Sequence, residues 1–362
     1  MGNHQSPAFF GYLHSFRGFA IINIAAIHVF GFSIFSMPGA DFNKISYPNI
    51  VNEILFHNST IYFAVISGIL FTLILKQKGY KSFYLNKIKY VLFPYIFLTL
   101  IFSIFDNQAQ GFFVPYKEWS LYFKNLISNF IYGRAIFVFW YMPVLFFLYL
   151  ITPLLDYVLN KLKGGKWIMW LIILTPLVVR RIELMEPGSL DSLQLKTMIY
   201  FTGAYAAGMY FASNIEANLQ WINRNKWLLI ILTVILSIGL FYAAYNKIDR
   251  FGFFSLMSTL YYIQKIVLTG LALLFFKTLG QMQPRWLRLV ADHSFTIYFL
   301  HVFFLIVLIG PFSALFQYQK IYPFNGILSA LLLLFLTIAL CIVTAVVFKK
   351  IFGKYSRMFV GS

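Results

Sequence analysis

Long apolar runs alternate with short polar connections along nearly the whole chain. Runs of spanning length fall at roughly 13–35, 59–76, 88–105, 137–159, 167–182, 197–213, 227–245, 253–276, 294–316 and 326–348. A transmembrane helix needs ~20 predominantly apolar residues. The pattern therefore predicts about ten transmembrane helices, the fifth and sixth of them short. The two longest connections read as loops, at 36–58 and 106–136, and the run Leu162-Lys163-Gly164-Gly165-Lys166 as a tight turn. No internal repeat, low-complexity tract or long polar linker divides the chain, so residues 1–362 are expected to form a single transmembrane domain.

Composition agrees with the pattern. The chain is 60% hydrophobic, 20% aromatic and 11% charged, where a soluble domain carries about 25% charged residues. The expected fold class is all-α, a polytopic transmembrane helix bundle. The net charge of +18 is read through topology, since no soluble basic domain is expected that would hold nucleic acid. With both termini placed in the cytoplasm, seventeen Lys and Arg fall on the inner side and ten on the outer. The inner set includes Lys76, Lys78, Lys81, Lys87, Lys89, Lys349, Lys350, Lys354 and Arg357. Acidic residues lean outward: Asp41, Glu53, Asp106, Glu118, Glu183, Glu186, Asp191 and Asp249. Excess positive charge marks the cytoplasmic side. Cys341 is the single cysteine, so no intramolecular disulfide forms. The first apolar run lacks a small-residue cleavage pattern and reads as a spanning helix, not a cleaved signal peptide.

Against this apolar background the polar positions inside the runs stand out. Arg17 and His28 lie in the first run, eleven residues apart. At ~100° per residue they end roughly 20° apart on one helix face, and at ~1.5 Å per residue they are roughly 16 Å apart along the axis. Ionisable groups at membrane depth are costly and point to function. A neutral imidazole serves as a general base near working pH. A guanidinium suits a phosphate or pyrophosphate, which it binds in bidentate fashion, or snorkels to lipid phosphates at the interface. The spacing fits a coenzyme A thioester, with phosphates at Arg17 and the thioester at the end of a long arm near His28. Tyr298 and His301, three residues apart in the ninth run, are helix neighbours and read as a buried polar pair that stabilises packing or as a second wall of the same cavity. The basic run around Lys76–Lys81, with Lys87 and Lys89, reads as a mouth for phosphates or as a topogenic cluster on anionic membrane lipid. Lys265 and Asp156 lie within apolar runs as well, as a pair or as cavity-lining groups.

Other chemistries lack their signatures. The chain has no G-x-x-x-x-G-K-[ST] loop, no G-x-G-x-x-G, no H-E-x-x-H and no G-x-S-x-G elbow. The six histidines show no metal-ligand spacing, so no metal is expected.

The order of these motifs resembles the acyltransferase-3 family of integral membrane acyltransferases. Phe16-Arg17-Gly18 with His28 is similar to the family's Arg-x10-His pattern, and Phe63-Ala64-Val65-Ile66-Ser67-Gly68 to its Phe-x-x-x-Ser-Gly segment. Phe83 to Tyr95, ending in Phe93-Pro94-Tyr95, is similar to its basic stretch before a Pro-Tyr. Phe139-Trp140-Tyr141-Met142-Pro143 followed by Leu148-Tyr149-Leu150-Ile151-Thr152-Pro153 resembles its fourth helix. Ser294-Phe295-Thr296-Ile297-Tyr298-Phe299-Leu300-His301 resembles its late Ser-Phe-x-Ile-Tyr-x-x-His segment. Two departures stand out. Lys87 and Tyr90 occupy the places of an Arg-x-x-Arg, with Lys89 as a substitute charge, and Val138-Phe139 replace a histidine before Trp140.

The resemblance implies a multi-pass protein of the bacterial inner membrane that moves an acyl group, most commonly acetyl, from cytoplasmic acetyl-CoA to a hydroxyl of a surface polysaccharide or lipid-linked sugar. It implies the stand-alone form, without an extracytoplasmic hydrolase-like domain. Arg17, Lys87 and Lys89 would bind the donor phosphates. His28 would act as general base or covalent acyl carrier, with Tyr298 and His301 orienting it or stabilising the oxyanion. The rival expectation is a glycan exporter or flippase without acyl transfer.

Overall fold

The computed structural model describes residues 7–35, 46–105, 118–179, 195–251, 254–318 and 324–361. Several of the outward-leaning charges, Asp41, Asp106, Glu183, Glu186 and Asp191, lie outside the described residues.

Helices account for nearly all of the described chain. In order they are α1 (Pro7–Phe35), α2 (Tyr47–Phe56), α3 (Thr60–Leu70), α4 (Tyr80–Lys87), α5 (Phe93–Phe102), α6 (Trp119–Tyr132), α7 (Tyr141–Asn160) and α8 (Gly165–Leu174). They continue as α9 (Leu195–Ser213), α10 (Ile215–Arg224), α11 (Lys226–Tyr245), α12 (Leu256–Leu279), α13 (Arg285–Asp292), α14 (Ser294–Tyr318), α15 (Phe324–Phe352) and α16 (Ser356–Phe359). A two-residue hairpin, β1 (Arg250–Phe251) paired antiparallel with β2 (Phe254–Ser255), leads into α12. The all-α polytopic bundle expected from the apolar runs is present.

Among the described residues, seven helical stretches are long and apolar enough to cross a membrane. They are 11–34, 47–78, 80–102, 137–160, 226–245, 256–279 and 327–359. An eighth span results if α13 and α14, bent by 82° at their junction, are taken together. The run at 197–213 is helical too, whereas the described part of the run at 167–182 gives only a short apolar helix over Gly165–Leu177. The 197–213 helix, α9, is diluted by Gly, Ala, Thr and Tyr.

Two segments read as loop contain helices. In α2, Pro48 sits in the first turn, and Ile50 and Ile54 turn one face onto Leu240 and Tyr261. In α6, the chain stops at Gly133, whose φ of 66° supplies the left-handed residue that ends helices.

Packing follows the rule for helices in lipid, where small residues let backbones approach. At the α3–α9 crossing, a side chain at Gly68 would run into the Tyr205 carbonyl, and one at Gly208 into the Val65 carbonyl. By contrast α11 turns Leu228, Ile231, Ile235 and Ile238 outward, a surface suited to hydrocarbon. The centre of the bundle is α1, which packs against α2, α3, α12, α13, α14 and α15. Its Phe16, Ala20, Ile21 and Ala25 are fully buried.

Candidate active site

The site is built where α1 meets α14. The two helices touch at two depths. Toward the start of α1, Arg17 Nε donates to Ser294 Oγ at 2.5 Å, and its guanidinium lies 5.4 Å from the Phe295 ring centre. Further along, the His28 and His301 rings are 5.4 Å apart at 33°. Both contacts advance in the same direction along the two chains, so α1 and α14 run parallel here. Arg17 can reach Ser294 because Gly18 lies against the Leu287 carbonyl of α13, where a Cβ would collide.

At the deep end the imidazoles are in different states of constraint. His301 is fully buried. Its Nδ1 lies 2.8 Å from the Ile297 carbonyl and 2.9 Å from the Tyr298 carbonyl. Both partners are acceptors, so Nδ1 carries the proton and Nε2 presents a lone pair. That Nε2 is buried without a hydrogen-bond partner among the described residues. His28 is partly buried, with Phe137 edge-on at 5.1 Å. Among the described residues its contacts are to rings and no hydrogen bond holds it, so it is the freer of the two. Tyr298 neighbours His301 as its spacing predicts, with ring centres 6.4 Å apart. Its hydroxyl, however, donates to the Val138 carbonyl, and so ties α14 to the start of α7.

The other end is basic. Lys87 Nζ sits 4.3 Å from the Tyr149 ring centre, donates to the Tyr149 hydroxyl at 3.2 Å and lies 5.5 Å from the Phe83 ring. Lys87 and Arg17 are close enough for their charges to interact, and Tyr149 lies within the same field. A third cation joins them. The C-terminal tail folds back on the bundle: Thr296 Oγ1 donates to the Val360 carbonyl at 2.8 Å, and Phe359 packs 5.1 Å from Phe97. This carries Arg357 into electrostatic range of Arg17 and lays it 4.8 Å over Tyr90. Lys89 is exposed and lies over the same Tyr90 ring at 5.3 Å. Arg17 and Lys87 thus form an inner cationic pair, Arg357 stands beside it, and Lys89 is on the rim. Asp292, the carboxylate acting on Arg17, is engaged by His14 at 3.1 Å.

Lys265 and Asp156 do not meet. Asp156 accepts from Lys76 at 2.8 Å, Tyr80 at 2.7 Å and Asn160 at 2.8 Å, closing the end of α7. Lys265 Nζ is buried and donates to the Leu55 carbonyl at 2.8 Å, with the Ile54 carbonyl at 3.4 Å. It caps the last turn of α2, where helix carbonyls lack partners. Among the described residues no group of three or more His, Cys, Asp or Glu is arranged to hold a metal.

Arg357 reads in the sequence only as a topogenic tail charge, Tyr149 and Ser294 only within family-like segments, and Phe137 not at all. Their places at the site come from long-range packing.

A multi-pass helical protein with a basic mouth at one end of a helix and an imidazole pair farther along it has the layout of a membrane-embedded group-transfer enzyme. Residues 10–346 match the family model described as an acyltransferase domain, Acyl_transf_3, so the chain belongs to the acyltransferase-3 family. Neither the curated proteins nor the solved structures contain a match to it.

Proposed function

We propose that this protein is a membrane O-acyltransferase, most simply an O-acetyltransferase, that moves an acyl group from cytoplasmic acyl-CoA to a hydroxyl of a surface polysaccharide or lipid-linked sugar. It sits in the bacterial inner membrane with both termini cytoplasmic. The observation that carries the reading is the single axis of α1. Arg17 lies beside Lys87 and Arg357 at one end, and His28 lies beside His301 roughly 16 Å farther along.

Arg17 and Lys87 bind the donor phosphates, with Arg357 and Lys89 extending the positive field outward. The pantetheine arm then reaches along α1 toward His28. A His28 ring nitrogen accepts the proton of the sugar hydroxyl as the oxygen attacks the thioester carbonyl carbon. The new C–O bond forms, the C–S bond breaks, and the departing thiolate takes the proton back through His28. The products are an O-acyl sugar and coenzyme A. His301 Nε2, left with a free lone pair by the bonds at Nδ1, stands one ring away to take the other N–H of His28 when the substrate is seated, and so to fix which nitrogen faces the hydroxyl.

Purified protein in vesicles, given radiolabelled acetyl-CoA and envelope glycan from a strain lacking it, is expected to label the glycan. His28→Ala is expected to lose about 10²–10⁴-fold in rate, the range of a general base. A well-folded His28→Ala protein that labels glycan at the wild-type rate refutes the mechanism. Glycan translocation without label refutes acyl transfer.

A further inference from the structure

A second site lies on the His28 side of the bundle. A cavity of about 470 Å³ opens between α2, the end of α11 and the start of α12. That volume falls within the roughly 300–1,000 Å³ of small-ligand sites. α2 belongs to the His28 end, since Asn52 Nδ2 donates to the Ile27 carbonyl at 3.3 Å and Phe56 stacks on Phe30 at 5.7 Å.

The lining is a built arrangement of polar groups. Glu53 Oε2 and His57 Nδ1 are 2.5 Å apart, one helical turn from each other. Behind Glu53 stands the buried Lys265 ammonium, which interacts favourably with its carboxylate while capping α2. Across the cavity, Asp249 Oδ1 accepts from Ser255 Oγ at 2.6 Å and from the Met257 N–H at 3.3 Å, which fixes the carboxylate plane. Asn49 adds an amide to the lining, and Tyr261 an aromatic ring 4.7 Å from that of His57. His57 lies within electrostatic reach of His28.

These groups select a chemistry. Two carboxylates and an amide offer paired acceptors and donors to adjacent hydroxyls, and an aromatic face covers the C–H side of a sugar ring. Glu53 and Asp249 are offset by Lys265 and Lys247, so the lining favours neither a strong anion nor a strong cation. We propose that this cavity is the acceptor subsite and holds an uncharged glycosyl unit, with Glu53–His57 and Asp249 gripping its hydroxyls and one hydroxyl directed toward His28. The proposal deepens the acyltransferase reading and rests on it for the direction of that hydroxyl.

The test uses the full chain in nanodiscs and saturation-transfer NMR with the methyl glycosides of glucose, galactose, mannose and rhamnose, and with the methyl glycoside of sialic acid as a charged comparison. At least one neutral glycoside is expected to bind saturably. Asp249→Asn and Glu53→Gln are each expected to weaken it about tenfold, the effect of losing one hydrogen bond to a charged group. Coenzyme A affinity is expected to be unchanged. If either variant unfolds early, Asn49→Ala is used in its place, with a weaker loss expected. No neutral glycoside bound, binding of the sialoside alone, or binding unaffected by these variants overturns the assignment. Glycan labelling from acetyl-CoA is measured separately. Glycoside binding without any labelling overturns the acyltransferase reading and leaves the subsite. Labelling with glycoside binding indifferent to Glu53 and Asp249 overturns the subsite alone.

Discussion

The basic mouth makes a graded prediction about donor binding. Arg17 is partly buried, its Nε is held by Ser294, and its remaining N–H groups are available to an oxyanion. Replacing it with Gln removes at least one charge-assisted hydrogen bond to phosphate, about 1.5–3 kcal/mol. At 1.4 kcal/mol per factor of ten, that is a roughly 10- to 150-fold loss of coenzyme A affinity. Arg17→Lys keeps the charge but not the fork, so its loss falls between wild type and Arg17→Gln. Arg357 is exposed on the tail and acts through water. Its replacement by Gln is expected to cost only about two- to fivefold, and less as salt rises, because the screening length is already ~10 Å at 0.1 M. Isothermal titration of coenzyme A into the nanodisc-embedded protein, at low and high salt, measures all three. Equal affinities for wild type and Arg17→Gln would remove Arg17 from donor binding. An Arg357→Gln loss as large as that of Arg17→Gln, and independent of salt, would place the phosphates at the tail instead.

Two further outcomes follow from the packing. His301→Phe, which has no acceptor in place of the Nε2 lone pair, is expected to lower kcat about five- to tenfold, the worth of one orienting hydrogen bond, with donor affinity unchanged; steady-state rates with unaltered kcat would separate His301 from His28 chemistry. Gly208→Ala normally stabilises a helix by about 1 kcal/mol, but here the new methyl meets the Val65 carbonyl, so the thermal midpoint in detergent is expected to fall. A raised midpoint would show that the α3–α9 contact is looser than described.

Much of the site was legible because it is written at helical spacing. The pairing of Arg17 with His28 on one face, and of Tyr298 with His301, needs only the helix repeat, and α14 then meets α1 at both depths. Lys87 was legible as a candidate from its charge, but its setting on Tyr149 depends on α4 packing against α7. Arg357 was not legible as a site residue, since nothing near it in sequence signals that Val360 and Phe359 dock on Thr296 and Phe97. Lys265 reads in the sequence as a partner of Asp156 or a cavity-lining group, whereas its hydrogen bonds go to backbone carbonyls of α2, which leave no mark in side-chain pattern. The same limit hid α2 itself. Its Ile50 and Ile54, packed on Leu240 of α11 and Tyr261 of α12, stabilise a short helix in a stretch too polar to read as a span. Tyr298 was placed correctly beside His301, but its hydroxyl serves the α7 junction.

The parallel course of α1 and α14 has a mechanical consequence. Two helices that meet through a hydrogen bond at Arg17–Ser294 and through ring contact at His28–His301 lie as rails with two rungs. A slide of one turn, ~5.4 Å, cannot break one rung and spare the other. Phosphate arriving at Arg17 meets the guanidinium N–H groups that Ser294 leaves, so the first rung holds while the mouth is occupied. The second rung, the imidazole pair, is a contact of rings and is the one that parts more easily when the acyl group lies between the helices.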